Sequence, residues 1–279
     1  MKFVVIADYF VEQILGGGEL NNHQLISILE QKGFEVNKIQ SHQVTLGFLK
    51  VNHASCFIIS NFINLLEEIK EEIMKLNYII YEHDHKYLKT RNPASYKNFI
   101  APPGEIINYE FYKKAKAVLC QSTFHADMVK SNLHLDNIVS VGGNLWSLGS
   151  LRILRVLAAK SKQEQAAVMN SPIDHKNTRE ALRYCEFKKI PYLLIASRSY
   201  EEFLSLLGSC NKFVFFPKTP ETLSRVIVEA RMMGLSIITN KNVGATQEEW
   251  YKLKGLPLID YVEKMRDSIP EIVIGVFKK

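Results

Sequence analysis

The chain has 279 residues, long for one domain and enough for two modest ones. Apolar residues make up 47% and charged residues 23%, which excludes a disordered or low-complexity chain. The net charge of +6 suits an anionic ligand or loose contact with an acidic membrane surface, but the lysines and arginines are spread rather than clustered, so no nucleic-acid partner is expected.

Met1 to Asp8 carry an apolar run too short for a signal peptide or a membrane span; they read as the first strand of a cytoplasmic protein. Short apolar runs then alternate with amphipathic, helix-length segments. Strands are predicted at 2–7, 35–39, 55–59, 77–81, 117–120 and 137–141, and helices at about 18–32, 63–75, 105–115 and 122–132. This βα repetition predicts a mainly parallel sheet with helices on both faces. The rhythm breaks at residues 141–150 and, after a helix and the charged stretch 160–165, resumes with strands near 166–169, 191–195, 213–216 and 235–239. The expected organisation is therefore α/β, with two Rossmann-like domains at 1–148 and 149–262 and a tail at 263–279. Tandem domains of this kind usually bind a ligand in the cleft between them. Cys56, Cys120, Cys185 and Cys210 are scattered and read as reduced core residues.

Polar clusters fall where the predicted strands end. Gly16-Gly17-Gly18-Glu19 opens the first helix, and its glycines allow close backbone approach or unusual dihedrals, although a plain flexible turn fits as well. It is not a dinucleotide fingerprint. Glu82-His83-Asp84-His85-Lys86 follows a strand and is too highly charged to be buried unpaired, so it should face a cleft or solvent. No third ligand motif accompanies its histidines, and no metal site is expected. Lys176, near a helix start, makes sense beside a shared anion or as a surface lysine. Thr219-Pro220-Glu221 follows the strand Phe213–Phe216 and reads as a helix start, which is either simple capping or an anion site, with Glu229 two turns further on.

In order, these features resemble the nucleotide-sugar glycosyltransferases of the two-Rossmann-domain (GT-B) fold, especially glycosyltransferase family 4. Gly16-Gly17-Gly18-Glu19 with Gly33-Phe34-Glu35-Val36 is similar to that family's opening motif; His83-Asp84 resembles its acceptor-domain loop, and Gln121-Ser122 its helix before the interdomain region. Lys176 falls at its phosphate-binding lysine, and Glu221 and Glu229 reproduce its Glu-x7-Glu motif. The resemblance implies a retaining, metal-independent glycosyltransferase that moves a sugar from a nucleotide-sugar donor to a hydroxyl acceptor, saccharide or other, with no cofactor beyond the donor.

It also implies roles. His83 and Glu221 would be catalytic. Gly17, Gly18, Lys176, Arg198, Thr222, Leu223, Ser224 and Glu229 would bind the donor; Glu19, Asp84 and His85 would lie on the acceptor side; and the tail would pack on the first domain. Three departures stand out: Ser171 replaces the family's arginine, for which Arg198 compensates only if its loop reaches the cleft; Thr222 and Ser224 replace a glycine pair; and a βα unit is missing between about 196 and 212. These keep two alternatives open, a non-catalytic nucleotide-sugar-binding subunit and a sugar-nucleotide epimerase. A glycosidase is disfavoured, because two glutamates about 12 Å apart along a helix do not flank one bond.

Overall fold

A computed structural model describes residues 1–196 and 199–278. It divides into two compact units, Met1–Leu145 with Met265–Lys279, and Trp146–Lys264.

The first unit contains strands β1 (Lys2–Ala7), β2 (Glu35–Gln40), β3 (Cys56–Ile59), β4 (Tyr78–Glu82), β5 (Val118–Cys120) and β6 (Ile138–Ser140). They form one parallel sheet in the order β2-β1-β3-β4-β5-β6. Its helices are α1 (Gly17–Gln31), α2 (Leu46–Val51), α3 (Glu67–Ile73), α4 (Tyr109–Lys114) and α5 (Thr123–Leu133). Strands β3 and β4 are buried along their whole length, which is why they read as continuous apolar runs. Alternation sends Val4, Ile6, Phe57, Ile59 and Ile80 to one face, where they pack with Leu49, Ile69, Phe111 and Val129 from the helices. Phe3 lies in edge-to-face contact with Phe34 and Phe277, so the last turns of the chain help to cover this unit.

The second unit contains α6 (Leu148–Ala159), β7 (Gln163–Met169), α7 (Thr178–Phe187), β8 (Tyr192–Ile195), α8 (Tyr200–Gly208), β9 (Cys210–Phe215), α9 (Arg225–Met232), β10 (Ser236–Thr239) and the start of α10 (Leu256–Lys278). Its four strands are parallel in the order β10-β9-β7-β8. Ala166, Val168 and Val214 pack on Ala181 and Cys185. All four cysteines are buried and unbridged, as expected.

Every predicted strand is present, with ends shifted by at most a few residues. The short helix α2 is additional; the Thr45 hydroxyl caps it by accepting from the Phe48 N–H at 3.1 Å.

The predicted helix start at Thr219-Pro220-Glu221 needs correction. No helix starts there: Glu221 forms a parallel bridge with Val243, taking part in bonds to Asn242 and Gly244, and Leu223 accepts from Ala245. Helix α9 begins only at Arg225, after Ser224 turns the chain with φ 73°. A non-glycine residue in the left-handed region is strained, and the Ser224 hydroxyl is also buried with no hydrogen-bond partner among the described residues. Ser224→Gly should therefore raise unfolding stability by about 1 kcal/mol, read by urea denaturation. An unchanged or lower midpoint would show that the serine fits this turn without strain.

Candidate functional site

In open parallel sheets, ligands bind past the carboxyl ends of the strands, where neighbouring crossovers diverge. In the first unit this point lies between β1 and β3, and in the second between β7 and β9. Sequence-predicted residues gather near both.

In the first unit, Asp8 ends β1 and ties the switch-point loops together. Its carboxylate accepts from the Ser41 hydroxyl and from the N–H groups of Ile63 and Asn64, both at 3.0 Å. The glycine run serves close approach. None of its residues has positive φ, which corrects the expectation of unusual dihedrals. A Cβ on Gly16 would sit 2.2 Å from the Glu19 carboxylate, and one on Gly18 would sit 3.4 Å from the His83 ring. Gly17 is the exposed first residue of α1. The half-buried Glu19 lies 3.4 Å from the Asn61 amide, and desolvation raises its pKa.

His83 is held from two sides. Its Nε2 donates to Asn22 Oδ1 at 2.6 Å, and its Nδ1 accepts from the Gln121 amide at 2.6 Å, an arrangement that suits one neutral tautomer. Desolvation, aided by the Lys86 ammonium, lowers its pKa to about 3.

In the charged run that begins at the end of β4, Glu82, His85 and Lys86 are buried, contrary to the expectation that the run faces a cleft or solvent, while His83 and Asp84 are half-buried; the charges are paired. Lys86 donates to Glu82 at 2.6 Å and to Asp84 at 2.9 Å, and Glu82 also accepts from the Tyr112 hydroxyl. Burial works against the charge on Asp84, but Lys86 and Arg91 outweigh it and hold this carboxyl below its usual range. Burial raises Glu82 despite Lys86. His85 is 3% exposed and packs between Tyr87 and His125.

In the second unit, Lys176 leaves the loop after β7 and Glu221 the loop after β9, and they meet at 2.7 Å. Lys176 closes a short turn ahead of α7 instead of starting that helix. Its ammonium lies 5.9 Å from the Phe215 ring centroid. Burial and Lys176 lower the pKa of neighbouring His175.

Glu229 is 2% exposed. Its Oε1 accepts from the Trp146 indole at 2.8 Å and the Tyr200 hydroxyl at 2.7 Å, while the Arg225 guanidinium lies 4.2 Å from the Trp146 ring centroid. Trp146 and Tyr200 were not singled out by sequence, because only the fold brings them to Glu229. Thr222 is half-buried and Leu223 fully buried beside this turn. Arg198 lies outside the described residues.

No protein-family model matches the chain, and neither does any curated protein sequence. Solved structures do. HepE from Anabaena, in complex with UDP and glucose, has a TM-score of 0.53 at 13% identity, covering 100% of this chain and 97% of its own. The catalytic domain of starch synthase IV from Arabidopsis thaliana, bound to ADP and acarbose, has a TM-score of 0.57 at 10% identity, covering 100% and 99%. UDP-GlcNAc 2-epimerase from Methanocaldococcus jannaschii has a TM-score of 0.51 at 13% identity, with complete coverage of both chains. The fold is accordingly that of the two-domain GT-B proteins.

Proposed function

We propose that this protein is a retaining glycosyltransferase that moves a sugar from a nucleotide-sugar donor to a hydroxyl acceptor without a metal ion. The observation that carries this reading is the Lys176–Glu221 pair at the switch point of the second unit, in a fold shared with a protein solved with UDP and glucose.

In the proposed reaction, the bond between the donor's anomeric carbon and its phosphate oxygen breaks, and the acceptor oxygen bonds that carbon on the same face. The acceptor's proton passes to the departing phosphate oxygen. Lys176, with the N–H groups of Thr222, Leu223 and Ser224, stabilises the charge that gathers there. Glu221 holds hydroxyls of the transferred sugar. Glu19, Asp84 and His85 belong to the acceptor side, Glu19 as its nearest polar wall and the other two as support beneath His83.

His83 acts by orientation rather than as a base. Both ring nitrogens are engaged, and an imidazole with a pKa near 3 holds a proton poorly at neutral pH. Glu229 locks Trp146, Tyr200 and Arg225 around α9, and contacts a ribose through its other carboxylate oxygen.

A thermal-shift screen of nucleotides and nucleotide sugars tests the donor half. A ligand at about 100 times its dissociation constant should add roughly 2.7 kcal/mol to stability. The matching donor and an acceptor panel should then release nucleoside diphosphate at a rate unchanged by EDTA; a rate abolished by EDTA and restored by a divalent cation would overturn metal independence. The likeness to an epimerase favours a second reading, in which the donor is converted with no acceptor present. Product analysis of an acceptor-free incubation separates the two.

A further inference from the structure

The first unit holds a cavity of about 530 Å³ that the roles proposed above leave unused. It reaches the switch-point loop through Phe62 and Ile63, and the loop after β4 through Lys86, Leu88, Lys89 and Arg91. With Lys70 on α3, four cations line it against a single carboxylate, Glu67.

These cations are not equivalent. Lys86 is saturated by Glu82 and Asp84, and Lys70 is bound to Glu67 at 3.0 Å and Asn108 at 2.9 Å. Arg91 gives one N–H to Asp84 at 3.3 Å, and Lys89 lies 3.8 Å from Glu105; their side chains are 49% and 55% exposed. Both keep donors to spare at the rim. A guanidinium fork and an ammonium at one rim match the oxygens of a phosphate, while the inner ammonium groups are already balanced by Glu67, Glu82 and Asp84. Phe62, Leu88 and Ile107 supply an apolar wall. The volume suits a small organic body rather than a bare ion.

We infer that this cavity binds the phosphate group of an acceptor that also presents an apolar surface, with Arg91 and Lys89 as its direct ligands. The inference rests on the transferase reading for the word acceptor; the binding site itself stands on the lining residues. Lys86 lies three residues after His83 in the same loop, and its charge acts on that imidazole, so one loop serves both the cavity and the ring that orients the reacting hydroxyl.

The test uses the full chain and two forms of phosphate. Titration with phenyl phosphate, with phenol as the neutral control, probes a soluble phosphomonoester. Co-sedimentation with vesicles of equimolar phosphatidylcholine and phosphatidylglycerol, against phosphatidylcholine alone, probes a lipid headgroup. Binding of either phosphate form, weakened about tenfold or more by the double variant Lys89→Glu/Arg91→Glu and unaffected by Lys176→Ala, is the expected result. The form that binds identifies the source of the phosphate. Binding of neither form, or binding indifferent to the charge reversal, overturns the inference. UDP titration of the unmutated chain keeps the two readings apart: UDP binding with no phosphate binding refutes the cavity alone, whereas phosphate binding with no nucleotide binding refutes the transferase.

Discussion

Glu221→Ala is expected to lower donor-dependent release of nucleoside diphosphate by about a hundredfold or more while leaving nucleotide affinity equal or slightly higher. The split follows from the ion pair. Glu221 and Lys176 meet at 2.7 Å, with side chains 15% and 25% exposed, so each moderates the other's charge. Removing the carboxylate frees the ammonium for the diphosphate but deprives the sugar of its hydroxyl acceptor. The loss then appears in kcat. Lys176→Ala should act in the opposite sense and weaken nucleotide binding first, because the carboxylate left behind repels the diphosphate. Titration calorimetry with UDP, alongside steady-state kinetics of both variants, checks the pair. Full turnover in Glu221→Ala would remove this residue from the site.

The largest stability effect is expected at Lys86. Its ammonium is 2% exposed and lies between Glu82 and Asp84, and removal of one partner from a buried pair leaves an uncompensated charge. Lys86→Met should cost about 3–5 kcal/mol by urea denaturation, and Lys86→Met/Glu82→Gln should recover part of that loss. If the single variant is as stable as the parent, the network is dispensable.

The pH dependence has a definite sign. The folded pKa of Asp84 lies below its unfolded value of 3.8, so its stabilisation is present above pH 3.8 and disappears as pH falls through the lower folded value. Glu82, raised above 4.5, has the opposite sign: its contribution weakens as pH rises from 4.5 through the folded value.

The strands were legible in the sequence because a buried parallel strand writes itself as an apolar run, and Phe57-Ile58-Ile59 and Ile79-Ile80-Tyr81 do so without ambiguity. The start of α9 was not. Thr219-Pro220-Glu221 has the local chemistry of a helix cap, but backbone pairing of Glu221 with Asn242 and Gly244 keeps the segment out of the helix, and those partners lie some twenty residues away. Local signals cannot reveal that competition. The same distance hid Trp146 and Tyr200 as partners of Glu229, although the glutamate itself stood out through its spacing from Glu221. The charged run at Glu82–Lys86 was expected to face a cleft or solvent; Glu82 and Lys86 are instead buried, because the charges neutralise one another within four residues, a pattern the sequence displayed but did not decide.

The aromatic contact between Phe3 and Phe277 bears on how the chain is made. A ribosome delivers the first strand well before the covering turns of the last helix, with the whole second unit in between. Throughout that interval the face around Phe3 lacks its final cover, including the Lys32–Glu271 ion pair at 2.8 Å. The nascent first unit is therefore an unfinished body with a sticky seam, closed only once the covering helical turns have been made.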